Sequence, residues 1–211
     1  MSSRLIILDF DGTLADSLPW FLDVLLDAAP RFGFRRPEPA EYESLRGQDN
    51  RAIMRALGVP MWKLPAIARH LRQRALGAPP PPLFPGIAEA LTRLAEAGIV
   101  LGIASSNVEA QIRRALGPGL AGLIAHYACE ASLFGKAARF RRILDESGIP
   151  AARALSIGDE LRDIAAARDA GLSAGAVSWG YATLEALRSA APDMIFSAPE
   201  DLLELLTPRP G

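Results

Sequence analysis

Apolar positions along this chain follow two rhythms. The first run, Leu5-Ile6-Ile7-Leu8, is short and continuous and stops at Asp9-Phe10-Asp11-Gly12, the pattern of a buried strand entering a turn. From Pro19 to about Ala78 the rhythm turns helical. Trp20, Phe21, Val24, Leu25 and Ala28 share one face, as do Ile53, Met54 and Leu57, and no convincing strand interrupts them. Pro79-Pro80-Pro81-Pro82 closes this block, because it can continue neither element and suits a stiff linker.

Beyond the prolines the chain alternates. The pattern predicts helix 86–97, strand 99–104, helix 107–116, a strand near 123–129, helix 135–147, strand 154–158, helix 160–170 and strand 173–177. A short strand at 194–196, a leucine-rich helix at 200–206 and a frayed tail at 207–211 complete it. Gly98, Gly148 and Gly171 fall where a helix must stop before the next strand. Such alternation predicts an α/β fold, a parallel sheet covered by helices. Its first strand is separated from the rest by a helical insertion, so one unit comprises 1–16 and 83–211 and the other 17–82. Neither an internal repeat nor a coiled coil is visible.

Composition narrows the partners. With 211 residues, half of them hydrophobic, the chain can bury a sizeable core. Lys plus Arg number 23 against 24 Asp plus Glu, a net charge of -1, which excludes the electrostatic footprint of a nucleic-acid or acidic-membrane binder and favours a small molecule. Cys129 is the only cysteine, so no internal disulfide or cysteine zinc site can form; it reads as a small buried apolar residue in a reducing cytoplasm. Leu5 to Leu8 is too short for a signal-peptide core, and no window offers the roughly 18 uncharged apolar residues of a membrane span.

In parallel α/β sheets, ligands bind beyond the carboxyl ends of the strands. The polar residues there are Asp9 and Asp11 after the first strand, Ser105 and Ser106 after Val100 to Ala104, Lys136 at a helix start, and Asp159, Glu160 and Asp163 after the strand ending near Ile157. Taken singly, Asp11-Gly12 is an ordinary turn, Ser105 an ordinary helix cap and Gly158-Asp159 an ordinary loop. Together they gather Asp9, Asp11, Asp159 and Asp163 around one lysine, and carboxylates about 4 Å apart repel by several kcal/mol unless a cation offsets them. Oxygen donors without clustered histidine or cysteine favour a hard ion such as magnesium bridging to phosphate. Lys136 and Ser105 would meet the phosphoryl oxygens, an arrangement suited to phosphoryl transfer.

Four motifs in order resemble those of the haloacid dehalogenase superfamily and span most of the chain. Asp9-Phe10-Asp11-Gly12-Thr13-Leu14 matches the family's DxDGT signature; Leu101-Gly102-Ile103-Ala104-Ser105 resembles the strand ending in a phosphate-binding Ser or Thr; Phe134-Gly135-Lys136 resembles the family lysine; and Ile157-Gly158-Asp159-Glu160-Leu161-Arg162-Asp163 matches its acidic GDxxxD form. The resemblance implies a Rossmann-like core with helices on both sheet faces and a small α-helical cap at 17–82. It implies a magnesium-dependent phosphatase in which Asp9 attacks phosphorus and binds Mg2+. Asp11 would act as acid and then base and offer its carbonyl to the metal. Ser105 and Lys136 would hold the phosphoryl group, Asp159 would ligate Mg2+, and Asp163 would be an outer ligand or orient bound water. Thr13, Ser106, Asn107 and Arg46 are the remaining candidate substrate-binding positions. Arg46-Gly47-Gln48 resembles a cap loop that reaches substrate, so Arg46 or Arg51 would hold a second anionic group unless each is simply a solvated arginine. Glu160 stands where many relatives carry a small residue, and its role stays open.

The wording of the motifs looks most like the phosphoglycolate phosphatase-like branch, which implies a small phosphorylated metabolite as substrate. A phosphomutase or phosphotransferase would share these core motifs, and a catalytically silent regulatory protein would be expected to lack part of the quartet. Carbon-halogen and phosphonate-cleaving relatives typically lack the acid at Asp11. Trp62, Trp179 and Tyr181 read as packing residues, and His70 and His126 do not have the spacing of a metal pair.

Overall fold

The computed structural model describes residues 4–129 and 135–207. Phe134 of the lysine motif and residues 208–211 of the expected tail lie outside the described residues. Strand β1 (Leu5–Leu8) is followed by helices α1 (Leu18–Phe32), α2 (Tyr42–Arg46), α3 (Asn50–Ala56) and α4 (Leu64–Gly77), with 3₁₀ turns at Pro39–Glu41 and Met61–Lys63. The alternating part then runs α5 (Ile87–Glu96), β2 (Val100–Ala104), α6 (Glu109–Leu123), β3 (Ile124–Ala128), α7 (Gly135–Ser147), β4 (Ala154–Gly158), α8 (Leu161–Asp169), β5 (Ser173–Val177), α9 (Leu184–Ser189) and β6 (Met194–Phe196). A 3₁₀ segment at Pro199–Leu206 stands where a leucine-rich α-helix is expected.

The six strands form one parallel sheet in the order β3-β2-β1-β4-β5-β6. Strand β1 is thus central, flanked by β2 and β4 where the winding reverses, the place where such sheets open a crevice for ligands. Its side chains alternate between two cores. Ile6 and Leu8 pack with α5, α6 and the last 3₁₀ segment through Leu91, Leu94, Ile112, Leu202 and Leu205. Leu5 and Ile7 face α7, α8 and α9 through Phe140, Ile143, Ile164 and Leu187. Burial on both faces is why this strand reads as an unbroken apolar run.

Two further elements depart from the expected pattern. Helix α6 extends beyond 116 to Leu123 across a kink, because Gly117 takes a left-handed φ of 70° and Pro118 then sits well at the start of a second helical stretch. Helix α9 was not foreseen. It has only six residues, too few to declare a period, and its start is marked by the Thr183 hydroxyl accepting from the Ala186 N–H at 3.3 Å.

The insertion has a small apolar centre of its own, with Ala28, Ala29, Phe34, Leu45, Leu57 and Ile67 buried together. Its two connections to the sheet run side by side: the Asp16 N–H donates to Pro82 O at 2.8 Å and the Phe84 N–H to Leu14 O at 3.0 Å. Among the described residues no helix is long and apolar enough to cross a membrane.

Candidate active site

The site grows out of the carboxyl ends of β1, β2, β4 and β5. The Asp9 N–H donates to Ile157 O at 2.9 Å, so the ladder between β1 and β4 continues one residue past the strand and fixes the Asp9 backbone. The chain then folds back tightly, with Leu14 and Ala15 N–H groups both donating to Phe10 O at 2.9 Å while the Phe10 ring is fully buried beneath. Gly12 has φ +76°, and a Cβ there would run into Asp159 and Tyr181. Only glycine satisfies both conditions.

Three carboxylates converge below this turn. Asp9 is 5% exposed, Asp163 1% and Asp159 0%, and each offers an oxygen within 4.8 Å of the others. Asp9 Oδ1 accepts from the Phe10 N–H at 2.8 Å. Lys136, in the first turn of α7, places Nζ 2.5 Å from Asp9 Oδ2 and 2.6 Å from Asp163 Oδ1. The other oxygen of Asp163 takes the Glu160 N–H at 3.0 Å, capping α8 where the helix dipole favours a negative charge. Asp159 Oδ1 takes the Thr13 hydroxyl at 2.9 Å, and Oδ2 takes the Tyr181 N–H at 2.8 Å.

Asp11 lies to one side of this group. Asn107 Nδ2 donates to Asp11 Oδ2 at 3.2 Å, and the Asn107 N–H donates to the buried Ser105 Oγ at 3.1 Å, so β2 and β1 are tied across their ends. Ser17, at the entry to the insertion, lies close enough to Asp11 to counter part of the rise in its pKa. It shares a 2.9 Å hydrogen bond with the Tyr181 hydroxyl.

Burial dominates the electrostatics. It pushes Asp9 above the usual carboxylate range, with Lys136 opposing and Asp163 adding to the rise. Asp159 is pushed well up by burial and then by the charges of Asp163 and Asp9. Asp11 is raised to about 6, first by burial and then by Asp9. Burial works against the Lys136 charge, yet the carboxylates of Asp163 and Asp9 outweigh it and hold the ammonium above its ordinary value. Burial raises Glu160 despite Arg162, whose guanidinium meets its Oε1 at 2.5 Å.

The sequence-expected residues therefore divide. Asp9, Lys136 and Asp163 meet directly, Asp159 brings an oxygen within 4.8 Å of the other two carboxylates, and Asp11, Asn107 and Ser105 form an adjoining chain of contacts. Ser106 and Arg51 are exposed. Thr13, expected toward substrate, is fully buried with its hydroxyl on Asp159. Arg46, also expected toward substrate, directs its nitrogens to Tyr181 O, Gly180 O and Glu43. Cys129 is half-buried and packs on one of the cores rather than inside it. Ser17, Gly180 and Tyr181 were not anticipated as parts of the site. Ser-Trp-Gly-Tyr follows β5 at its carboxyl end, and that position was the available signal.

Comparison with known proteins places this geometry. Residues 6–177 match the haloacid dehalogenase-like hydrolase family. The chain belongs to that family. A phosphoglycolate phosphatase from Synechococcus elongatus is 36% identical over 208 residues, covering 96% of either chain. Another from Mesorhizobium japonicum is 30% identical over 213 residues, covering 93% of this chain and 92% of its own. A haloacid dehalogenase-like protein from Streptococcus pneumoniae, at 20% identity, superposes with a TM-score of 0.81 over 97% of this chain and 99% of that one, a likeness of fold. This haloacid dehalogenase-like hydrolase is a phosphatase.

The donor set fits a divalent cation. Three carboxylates 4.8 Å or less apart repel by about 3 kcal/mol per pair at an effective dielectric near 20. Lys136 offsets one charge of the three, which leaves two uncompensated when all are ionised. The donors are hard oxygens, with no histidine or cysteine in the group, which favours a magnesium-like ion.

Proposed function

We propose that the protein is a magnesium-dependent phosphomonoesterase acting on a small phosphorylated metabolite through a phosphoaspartyl intermediate on Asp9. Residues 17–82 serve as its cap in this reading. The observation that carries it is the Asp9 carboxylate at the centre of a buried acidic cleft, 2.5 Å from the ammonium of Lys136.

Asp9, Asp159 and Asp163, with the Asp11 backbone carbonyl, would hold Mg2+. When bound, the ion supplies positive charge that lets an ionised carboxylate approach an anionic ester. An Asp9 oxygen forms a bond to phosphorus as the ester P–O bond breaks, and protonated Asp11 delivers its proton to the departing alkoxide. Burial raises Asp11 to about 6, toward the range in which one carboxyl can both give and take a proton. Ionised Asp11 then takes a proton from water as that oxygen bonds to phosphorus, and the bond from Asp9 to phosphorus breaks to free phosphate. Asn107 holds the Asp11 carboxylate in place throughout, and Lys136 and Ser105 receive the phosphoryl oxygens.

The names of the curated relatives favour phosphoglycolate or a similarly small phosphorylated acid. Phosphate release from a panel of phosphomonoesters that includes phosphoglycolate, with and without Mg2+, tests the proposal. Release from at least one small ester, strictly dependent on Mg2+, is expected. Failure to hydrolyse any of them, or equal rates in chelator, would overturn it.

A further inference from the structure

We infer that Arg46 is a positioning residue, holding the metal-site aspartate Asp159 from the cap side through the peptide between Gly180 and Tyr181. This rests on the function proposed above, in which Asp159 is a magnesium ligand.

Arg46 closes helix α2, and its side chain crosses to the sheet. Nε donates to Tyr181 O at 2.8 Å and Nη2 to Gly180 O at 2.9 Å, so one edge of the guanidinium spans two consecutive carbonyls. Its own carbonyl accepts from the Thr183 N–H at 3.3 Å, and Nη1 meets Glu43 at 3.0 Å. Three guanidinium nitrogens are thereby committed to protein oxygens. The far side of the same segment rests on Asp159. The Tyr181 N–H donates to Asp159 Oδ2 at 2.8 Å, and the Ala182 N–H donates to Asp159 O at 3.3 Å. Gly180 lies so close to Asp159 and to Gly12 O that a Cβ would collide with both.

The carbonyl of Gly180 and the N–H of Tyr181 belong to a single planar trans peptide, so they point in opposite directions. A cation on the carbonyl polarises that peptide and strengthens the bond its N–H makes to the carboxylate, as linked hydrogen bonds do in a dry interior. Arg46, one peptide unit and Asp159 thus form a continuous chain from cap to acidic cleft. Tyr181 reinforces it from a second cap helix: its ring lies 5.8 Å from that of Phe21 in α1, and its hydroxyl bonds Ser17. Lifting α2 from the sheet would remove the cation and leave Asp159 less firmly oriented.

The test titrates Mg2+ into substrate-free wild type, Arg46→Gln and Arg46→Lys by calorimetry, alongside kcat and KM for p-nitrophenyl phosphate. Arg46→Gln should weaken Mg2+ binding by about 10-fold or more, the usual effect of losing an outer-shell partner. Its kcat should recover at high Mg2+ while KM changes little. Arg46→Lys should keep less than half of the lost affinity, since one ammonium does not span two carbonyls in fork geometry. Unchanged Mg2+ affinity in a folded Arg46→Gln variant, whether KM rises or not, would overturn the inference. If Arg46→Gln does not fold, Arg46→Lys with wild-type Mg2+ affinity overturns it equally. A wild type that binds no Mg2+ would overturn the proposed function itself.

Discussion

The acidic cleft and the helical insertion are held together by different means. Around the cleft, buried charges are pinned by short polar contacts: both oxygens of Asp9, Asp159 and Asp163 have partners, and two apolar cores clamp β1 beneath them. The insertion rests on one small apolar cluster with ion pairs at its exposed surface, such as Arg35–Glu41 at 2.6 Å, and leaves Met61, Trp62 and Leu76 exposed. Groups that must sit within a fraction of an ångström of a reacting atom need the first kind of construction. A module with the proposed cap role, admitting and selecting substrate, tolerates the second.

Perturbations of the two regions should therefore differ in kind. The largest effect is expected from Asp9→Asn, which preserves shape but removes the proposed nucleophile. Steady-state phosphate release should fall by about 10⁴-fold or more, and substantial residual turnover would refute the assignment. Chelating Mg2+ should likewise stop hydrolysis, and Ca2+ should restore it poorly because its larger, looser coordination misplaces Asp9. Full activity in chelator would remove the ion from the mechanism. Lys136→Met should lower kcat by about 10²- to 10³-fold, as the loss of one fixed charge at a phosphoryl group typically does. A change confined to KM would make this lysine a binding group only.

Stability should respond to pH chiefly through the buried carboxylates of the cleft. Asp9, Asp11 and Asp159 have folded-state pKa values raised above their unfolded ones, so the folded state binds protons more tightly. Their contribution is greatest at low pH and declines as pH rises. For Asp11 the window runs from 3.8 to about 6, and the loss amounts to about 3 kcal/mol across it. The melting temperature of metal-free protein should fall through this range, and saturating Mg2+ should flatten the fall. A metal-free profile that rises with pH would contradict the raised values. The smallest catalytic effect is expected in the insertion. Leu57→Ala should cost about 2–4 kcal/mol of local packing and shift the relative rates on different esters more than the rate on p-nitrophenyl phosphate. An unaltered substrate profile would deny the insertion a selective role.

The same contrast explains what could be read from residue order. The turn after β1 was legible because Asp9, Asp11 and Gly12 fall within four consecutive residues and their types are dictated locally, by charge at a strand end and by a left-handed backbone. The convergence of Lys136 with Asp163 was legible because both sit where an alternating pattern begins a helix. Thr13 and Arg46 are expected toward substrate from the sequence, and their bonding partners within the protein are not foreseen there. Arg46 reaches main-chain carbonyls of Gly180 and Tyr181, groups that every residue possesses and that leave no mark in side-chain identity. Tyr181 looked like packing, and its ring does pack on Phe21; its N–H is the part that touches Asp159.

The paired crossings at Asp16–Pro82 and Leu14–Phe84 bring the two ends of the insertion together within hydrogen-bonding reach. A module whose termini lie equally close, and which brings its own arginine to the Gly180 and Tyr181 carbonyls, could be spliced there without disturbing the strands and carboxylates below. Swapping modules at this junction offers a route by which one fixed reaction centre could acquire a new diet.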